Sequence, residues 1–158
     1  MIVLLLALAV ASFVVYEVFN VATLNTDQWP EAPNASVRAL AIAIAGAENS
    51  GAQNNPGSLT TGDVPDEYIV GTFNSAGVVN IDTLEHGVNA LYSKIERIQS
   101  GQSSVFSLQL PLLNFAALYT TGDANNTDSP EVQGYANSLS QTLGMDSDST
   151  LDEVLNNG

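Results

Sequence analysis

The sequence predicts a mainly α-helical protein with some β structure (α+β): an N-terminal hydrophobic helix, then a helical domain with a small β-hairpin lobe. Three observations predict it. Apolar residues recur at helical spacing in four separate stretches of the 158-residue chain. Between the first two lies a stretch, residues 58–82, with β-branched runs around a turn. Residues 1–24 are almost continuously apolar. The length suits one domain plus an attachment: an anchor over 1–24, a linker over 25–35 and a domain over 36–158.

Residues 1–24 are long enough, at ~1.5 Å per helical residue, to span a hydrocarbon core of ~30 Å. A transmembrane anchor is the favoured reading. A cleaved signal peptide is the second, since Ala9-Val10-Ala11 has the small residues of a cleavage site, although no basic residue precedes the apolar run. A helix buried among neighbouring subunits of an assembly is the third. The nearest basic residue is Arg38, so flanking positive charge does not orient the segment. The linker is polar and carries two prolines, which stiffen it. Its Trp29 suits either an interfacial anchor or packing onto the domain.

The first domain helix is capped by Asn34 or Ser36 and places Val37, Leu40, Ala41 and Ile44 on one face. Gly51 and the run Asn54-Asn55-Pro56-Gly57 end it. Tyr68–Val70 and Val78–Ile81 flank a turn near Asn74–Gly77, which predicts a short hairpin. Asp82 with Glu85 has capping-box spacing, and Leu84, Val88, Leu91, Ile95 and Ile98 mark the buried stripe of the next helix. That helix reads as scaffold with no chemistry of its own. Pro111 opens a helix to about Tyr119, with Leu112, Phe115, Ala116 and Tyr119 inward. Residues 120–129 read as a loop. Ser129-Pro130-Glu131 starts a helix with Val132, Tyr135, Ala136, Leu139 and Leu143 inward, and Gly144 stops it. A last short helix is capped by Ser149 with Asp152 or by Thr150 with Glu153.

Composition removes several function classes. Lys and Arg number 3 against 17 Asp and Glu, a net charge of −14. Nucleic-acid binding needs basic side chains and is not expected, nor is attraction to anionic headgroups. There is no cysteine, hence no disulfide or thiolate metal site. The lone histidine, His86, reads as a helix-surface or packing residue. Asp123, Asn125 and Thr127 alternate as in some calcium loops but lack the glycine and distant glutamate. No metal and no cofactor are expected.

Glu48 stands out. It lies eleven residues after Val37, three helical turns, and so falls on the apolar face at the C-terminal end of the helix. Apolar neighbours and the negative end of the helix dipole both disfavour its charged form. A glutamate that keeps its proton near neutral pH is what a general acid acting on a glycosidic bond requires. The plainer reading is a solvated boundary residue in a last turn.

The run Glu48-Asn49-Ser50-Gly51, followed by Asn54-Asn55-Pro56-Gly57-Ser58-Leu59, resembles the lysozyme-like domains of bacteriophage lytic enzymes and soluble lytic transglycosylases. Gly71-Thr72-Phe73, the amphipathic 84–91 stretch, Tyr119–Asp123, Tyr135-Ala136 and Leu143-Gly144 follow in the order of that pattern. The resemblance covers roughly residues 36–155 and rests on order and spacing, since each motif is short. It implies that Glu48 is catalytic, and that the β lobe walls a sugar cleft. It also implies that residues 105–119 form the central buried helix. Ser50, Asn54, Asn55 and Tyr135 become substrate-binding candidates, with Asn54 and Asn55 equally readable as turn residues and Tyr135 as core. Asp63 is the candidate second carboxylate, as a hydrolase needs. A transglycosylase needs none, and that mechanism is favoured.

The expected activity is therefore cleavage of the MurNAc–GlcNAc β-1,4 bond of peptidoglycan. The expected partners are glycan strands and, through residues 1–24, a membrane or neighbouring virion proteins. The expected place is a phage particle, opening the wall for the genome, or else a bacterial inner membrane with the domain in the periplasm. A structural or glycan-binding protein with a silent domain of this kind is the alternative. The acidity supports it slightly, because peptidoglycan and its attached polymers are anionic.

Overall fold

The computed structural model describes residues 25–48 and 51–156. The predicted anchor over 1–24 and the site candidate Ser50 lie outside the described residues. Among the described residues, no helix is long and apolar enough to cross a membrane.

Among the described residues, five α-helices and one two-stranded sheet make up the fold: α1 (Ala35–Ala47), β1 (Ile69–Thr72), β2 (Val79–Ile81), α2 (Leu84–Gln99), α3 (Leu112–Thr121), α4 (Pro130–Leu143) and α5 (Leu151–Asn156). The protein is thus mainly helical with a small β lobe. Helix α1 touches α2, α4 and α5, while α3 packs chiefly on α4. The helix at the centre is therefore α1 rather than the predicted 105–119 segment. The reason is side-chain size. Ala41, Ala43 and Ala45 are buried beside Val37, Leu40 and Ile44, and small residues let neighbours close in on more than one side of α1.

Local signals explain the ends of most helices. The Asn34 side chain accepts from Val37 N at 2.9 Å and caps α1, while the Ser36 hydroxyl donates to Leu155 O at 2.8 Å and ties α5 to it. Gly122 and Gly144 close α3 and α4 in the left-handed conformation. Thr150 and Glu153 form the reciprocal cap of α5, with Thr150 N donating to the carboxylate at 2.8 Å. At α2 the predicted Asp82 cap is displaced by one residue. Thr83 Oγ1 accepts from His86 N, and the Asp82 carboxylate instead holds the His86 ring at 2.8 Å. Asp82 is consequently held below the usual carboxylate range, first by its hydrogen bond to His86.

Strands β1 and β2 pair antiparallel, Ile69 with Ile81 and Thr72 with Val79, with an irregularity after Ile69. Ile81 and Val79 face the core, whereas Val70 and Phe73 remain exposed. Trp29 is 8% exposed and meets Tyr92 edge-on at 6.2 Å, so the linker tryptophan packs onto the domain.

Candidate active site

Glu48 caps the C-terminus of α1. Its backbone N–H still donates to Ile44 O at 2.8 Å, but its own conformation is extended. The chain leaves the helix at this residue, and Glu48 is half-buried. The Ser58 hydroxyl donates to Glu48 Oε2.

Ser58 reaches Glu48 because the 53–60 loop is stitched in place. Asn55 is buried, and its amide donates to Leu59 O at 2.9 Å and Val79 O at 2.7 Å while its oxygen accepts from Leu59 N at 2.7 Å. Asn54, in the left-handed region at φ 54°, donates to the carbonyls of Ile81 and Asp82, each at 3.0 Å. Its own carbonyl sits where a Cβ on Gly87 would lie, so α2 admits the loop only because residue 87 is glycine. From α3, Tyr119 Oη donates to Gly57 O at 2.6 Å. Ser58 itself has φ 48°, a conformation that costs a non-glycine residue about 1 kcal/mol or more. The fixed contacts on either side of Ser58 hold it there. The side-chain amides of both asparagines, read as sugar-binding candidates, are thus taken up by the loop.

Two tyrosines lie beneath the carboxylate. Tyr119 and Tyr135 stack with ring centroids 5.9 Å apart. The Tyr135 hydroxyl is buried and lies close to the Glu48 carboxylate, without a well-formed hydrogen bond among the described residues. Burial lifts this phenol well above its ordinary range, and Tyr119 and Glu48 push in the same direction. Tyr119 is raised well above the usual range too, by burial first and then by the negative charges of Glu48 and Asp63. Both phenols therefore stay neutral at ordinary pH; Tyr119 donates its O–H to Gly57 O, and Tyr135 remains a potential donor. Tyr135 is a core ring whose polar tip lies near the Glu48 carboxylate.

Asp63 has other commitments. Lys94 Nζ lies 3.0 Å from its Oδ2 and the Arg97 guanidinium 3.8 Å from its Oδ1. Thr60 donates to the same carboxylate from its backbone N–H and its hydroxyl, both at 3.2 Å. Lys94 also sits 4.7 Å from the centre of the Tyr119 ring. Asp63 thereby fastens the β lobe to α2.

Sequence reasoning passed over Ser58, Lys94 and Phe73 as site residues. Phe73 is 44% exposed, and its ring tip lies 3.8 Å from where a Cβ on Gly51 would be, just after the Glu48 turn. Nothing local marked Ser58 or Lys94. Among the described residues, no three His, Asp or Glu side chains gather to hold a metal. No family model matches the chain, and neither the curated proteins nor the solved structures give a significant match.

Proposed function

We propose that the chain is a peptidoglycan lytic transglycosylase with a lysozyme-like domain, using Glu48 as its single catalytic acid and base. The observation that carries this reading is the isolation of Glu48. It is half-buried at the end of α1, hydrogen-bonded by Ser58 and backed by two neutral phenols. The nearest rival carboxylate in the scheme, Asp63, is neutralised by Lys94. A hydrolase would need Asp63 free to act as nucleophile or as base for water. A transglycosylase does not. Protonated Glu48 gives its proton to the glycosidic oxygen as the C1–O bond breaks. The resulting carboxylate then takes the proton of the muramic acid 6-hydroxyl as O6 bonds to C1, leaving a 1,6-anhydro end and restoring the acid. Phe73 would offer a sugar ring its exposed face. In this reading residues 1–24 tether the enzyme to a membrane or to neighbouring virion proteins, in a phage particle or a bacterial inner membrane.

A second reading, a glycan-gripping or structural module, is favoured by one observation. Two surface grooves of about 440 and 510 Å³ lie along α2, and Glu48 lines neither.

The test is digestion of purified peptidoglycan by the full chain at high salt, which screens its −14 charge. Mass spectrometry should find anhydro-muramyl ends. Reducing ends would indicate a hydrolase. The absence of any product, from protein shown to be folded, would leave the second reading.

A further inference from the structure

Helix α2 has a polar face as well as its buried one. His86, Asn89, Ser93 and Arg97 recur along one face of it at spacings of three and four. With Pro65 and Tyr68 from the β lobe they line the groove of about 510 Å³, within the size range of small-ligand sites. The second groove shares Ser93 and Arg97 with the first, so Arg97 stands where the two meet.

The charges in the larger groove are arranged unevenly. Asp63 is already neutralised by Lys94 at 3.0 Å, whereas Arg97 approaches it only to 3.8 Å and is 43% exposed. Arg97 therefore keeps donors for a ligand. It does so on a chain with 3 Lys and Arg against 17 Asp and Glu, where an accessible cation is scarce. At the other end, Asp82 accepts from the His86 ring at Nδ1, 2.8 Å away. That places a proton on Nδ1, so that in the uncharged form of the ring Nε2 is the acceptor. Tyr68 stacks on the ring at 3.7 Å and holds its orientation. Between the two ends, Asn89 and Ser93 offer a side-chain amide and a hydroxyl.

Arg97 lies eleven positions after His86, about 16 Å along the helix. An extended chain of about five residues covers the same distance. We propose that this groove binds the carboxyl end of a short extended peptide, with its terminal carboxylate on Arg97 and a backbone N–H on His86 Nε2. Asn89 and Ser93 bond the peptide backbone between those ends. Val64, Pro65 and Ala90 line the same groove and suit small side chains. A glycan is disfavoured because Tyr68 and His86 spend one ring face on each other, and because a single cation at one end matches a single terminal carboxylate. This inference stands independently of the proposed cleavage activity.

The test is an NMR titration of the full chain with acetyl-tetraalanine. The amidated form of that peptide, acetate and chitotetraose are the comparison ligands. The expected result is saturable shifts at the His86 ring, the Asn89 and Ser93 side chains and Arg97 Nε. Arg97→Gln and amidation of the peptide should each weaken binding about tenfold or more, as loss of a charge-assisted pair implies. Arg97→Lys should weaken it less. Failure of the peptide to bind, equal binding by the amidated peptide, or indifference to Arg97→Gln would each overturn the proposal. So would acetate binding as tightly as the peptide, which would mean an adventitious carboxylate only. Chitotetraose moving these resonances while the peptide does not would also overturn it, in favour of a glycan groove.

Discussion

Replacing Gly87 by alanine sets two physical rules against each other. Gly87 lies in the first turn of α2. By helix propensity alone, alanine should stabilise the helix by about 1 kcal/mol. The structure reverses that sign. A Cβ at residue 87 would stand 1.8 Å from the Asn54 carbonyl oxygen and 3.0 Å from its carbon, and these are backbone atoms that cannot rotate away. The loop would have to move as a unit, against the two bonds from the Asn54 amide and the three made by Asn55. Overpacking of this kind costs about 1–3 kcal/mol, occasionally more. Set against the propensity gain of about 1 kcal/mol, the expected net effect is a loss of up to about 2 kcal/mol. Gly134 is the control. It lies within α4, is exposed, and a Cβ there would meet nothing within 4 Å. Gly134→Ala should gain about 0.5–1 kcal/mol. Urea unfolding of both variants at one salt concentration measures the difference. A Gly87→Ala protein that gains as much stability as Gly134→Ala would refute the close approach of loop and helix, and with it the account of how Ser58 is placed.

Three further outcomes follow from the same geometry. Asn55→Ala should cost about 2 kcal/mol or more in chemical denaturation, because it leaves the buried Leu59 N–H unpaired and takes a donor from the carbonyls of Leu59 and Val79, the former of which still accepts from Val79 N. Ser58→Gly removes the hydroxyl that bonds Glu48 but relieves the positive φ. Stability should stay within about 1 kcal/mol of the wild type, while cleavage of peptidoglycan falls about tenfold or more; unchanged cleavage would remove Ser58 from the mechanism. In alkali, Tyr119 and Tyr135 are raised well above their ordinary range in the folded protein. Their stabilising contribution is complete below the unfolded phenol value of about 10 and is lost as pH rises above it. Each should then remove about 1.4 kcal/mol per pH unit, and absorbance at the phenolate band should show both ionising only as the protein unfolds.

The parts of this fold that could be read from the sequence are those whose causes are local. Pro130 and Gly144 bracket α4, the apolar stripe of α2 names its buried face, and Thr150 with Glu153 caps α5, all within a few residues of chain. The α2 cap shows how a local reading slips. Asp82 and Glu85 have the right spacing, but Thr83 is equally able to cap, and Asp82 finds a better partner in His86. The candidate site divides in the same way. Glu48 was legible because helix period and a following glycine-rich turn are local properties. Ser58 was not, because its conformation and its reach depend on Tyr119, which bonds Gly57 from 62 residues away, and on Asn55 bonding across to β2. Asp63 looked free in sequence because Lys94, its partner, lies 31 residues downstream. The central place of α1 rests on its buried alanines, whose weak hydrophobicity hides them from a periodicity argument.

The measurement that bears most directly on the central claim compares wild-type chain with Glu48→Gln on purified peptidoglycan at high salt. Matched unfolding curves would show that both are folded. Glutamine keeps the size of the side chain and its ability to accept from Ser58, but it has no proton to give. Release of anhydro-muropeptides by the wild type should fall about a hundred- to ten-thousand-fold in the variant. A Glu48→Gln protein that releases them at the wild-type rate would contradict the assignment of Glu48 as the catalytic acid.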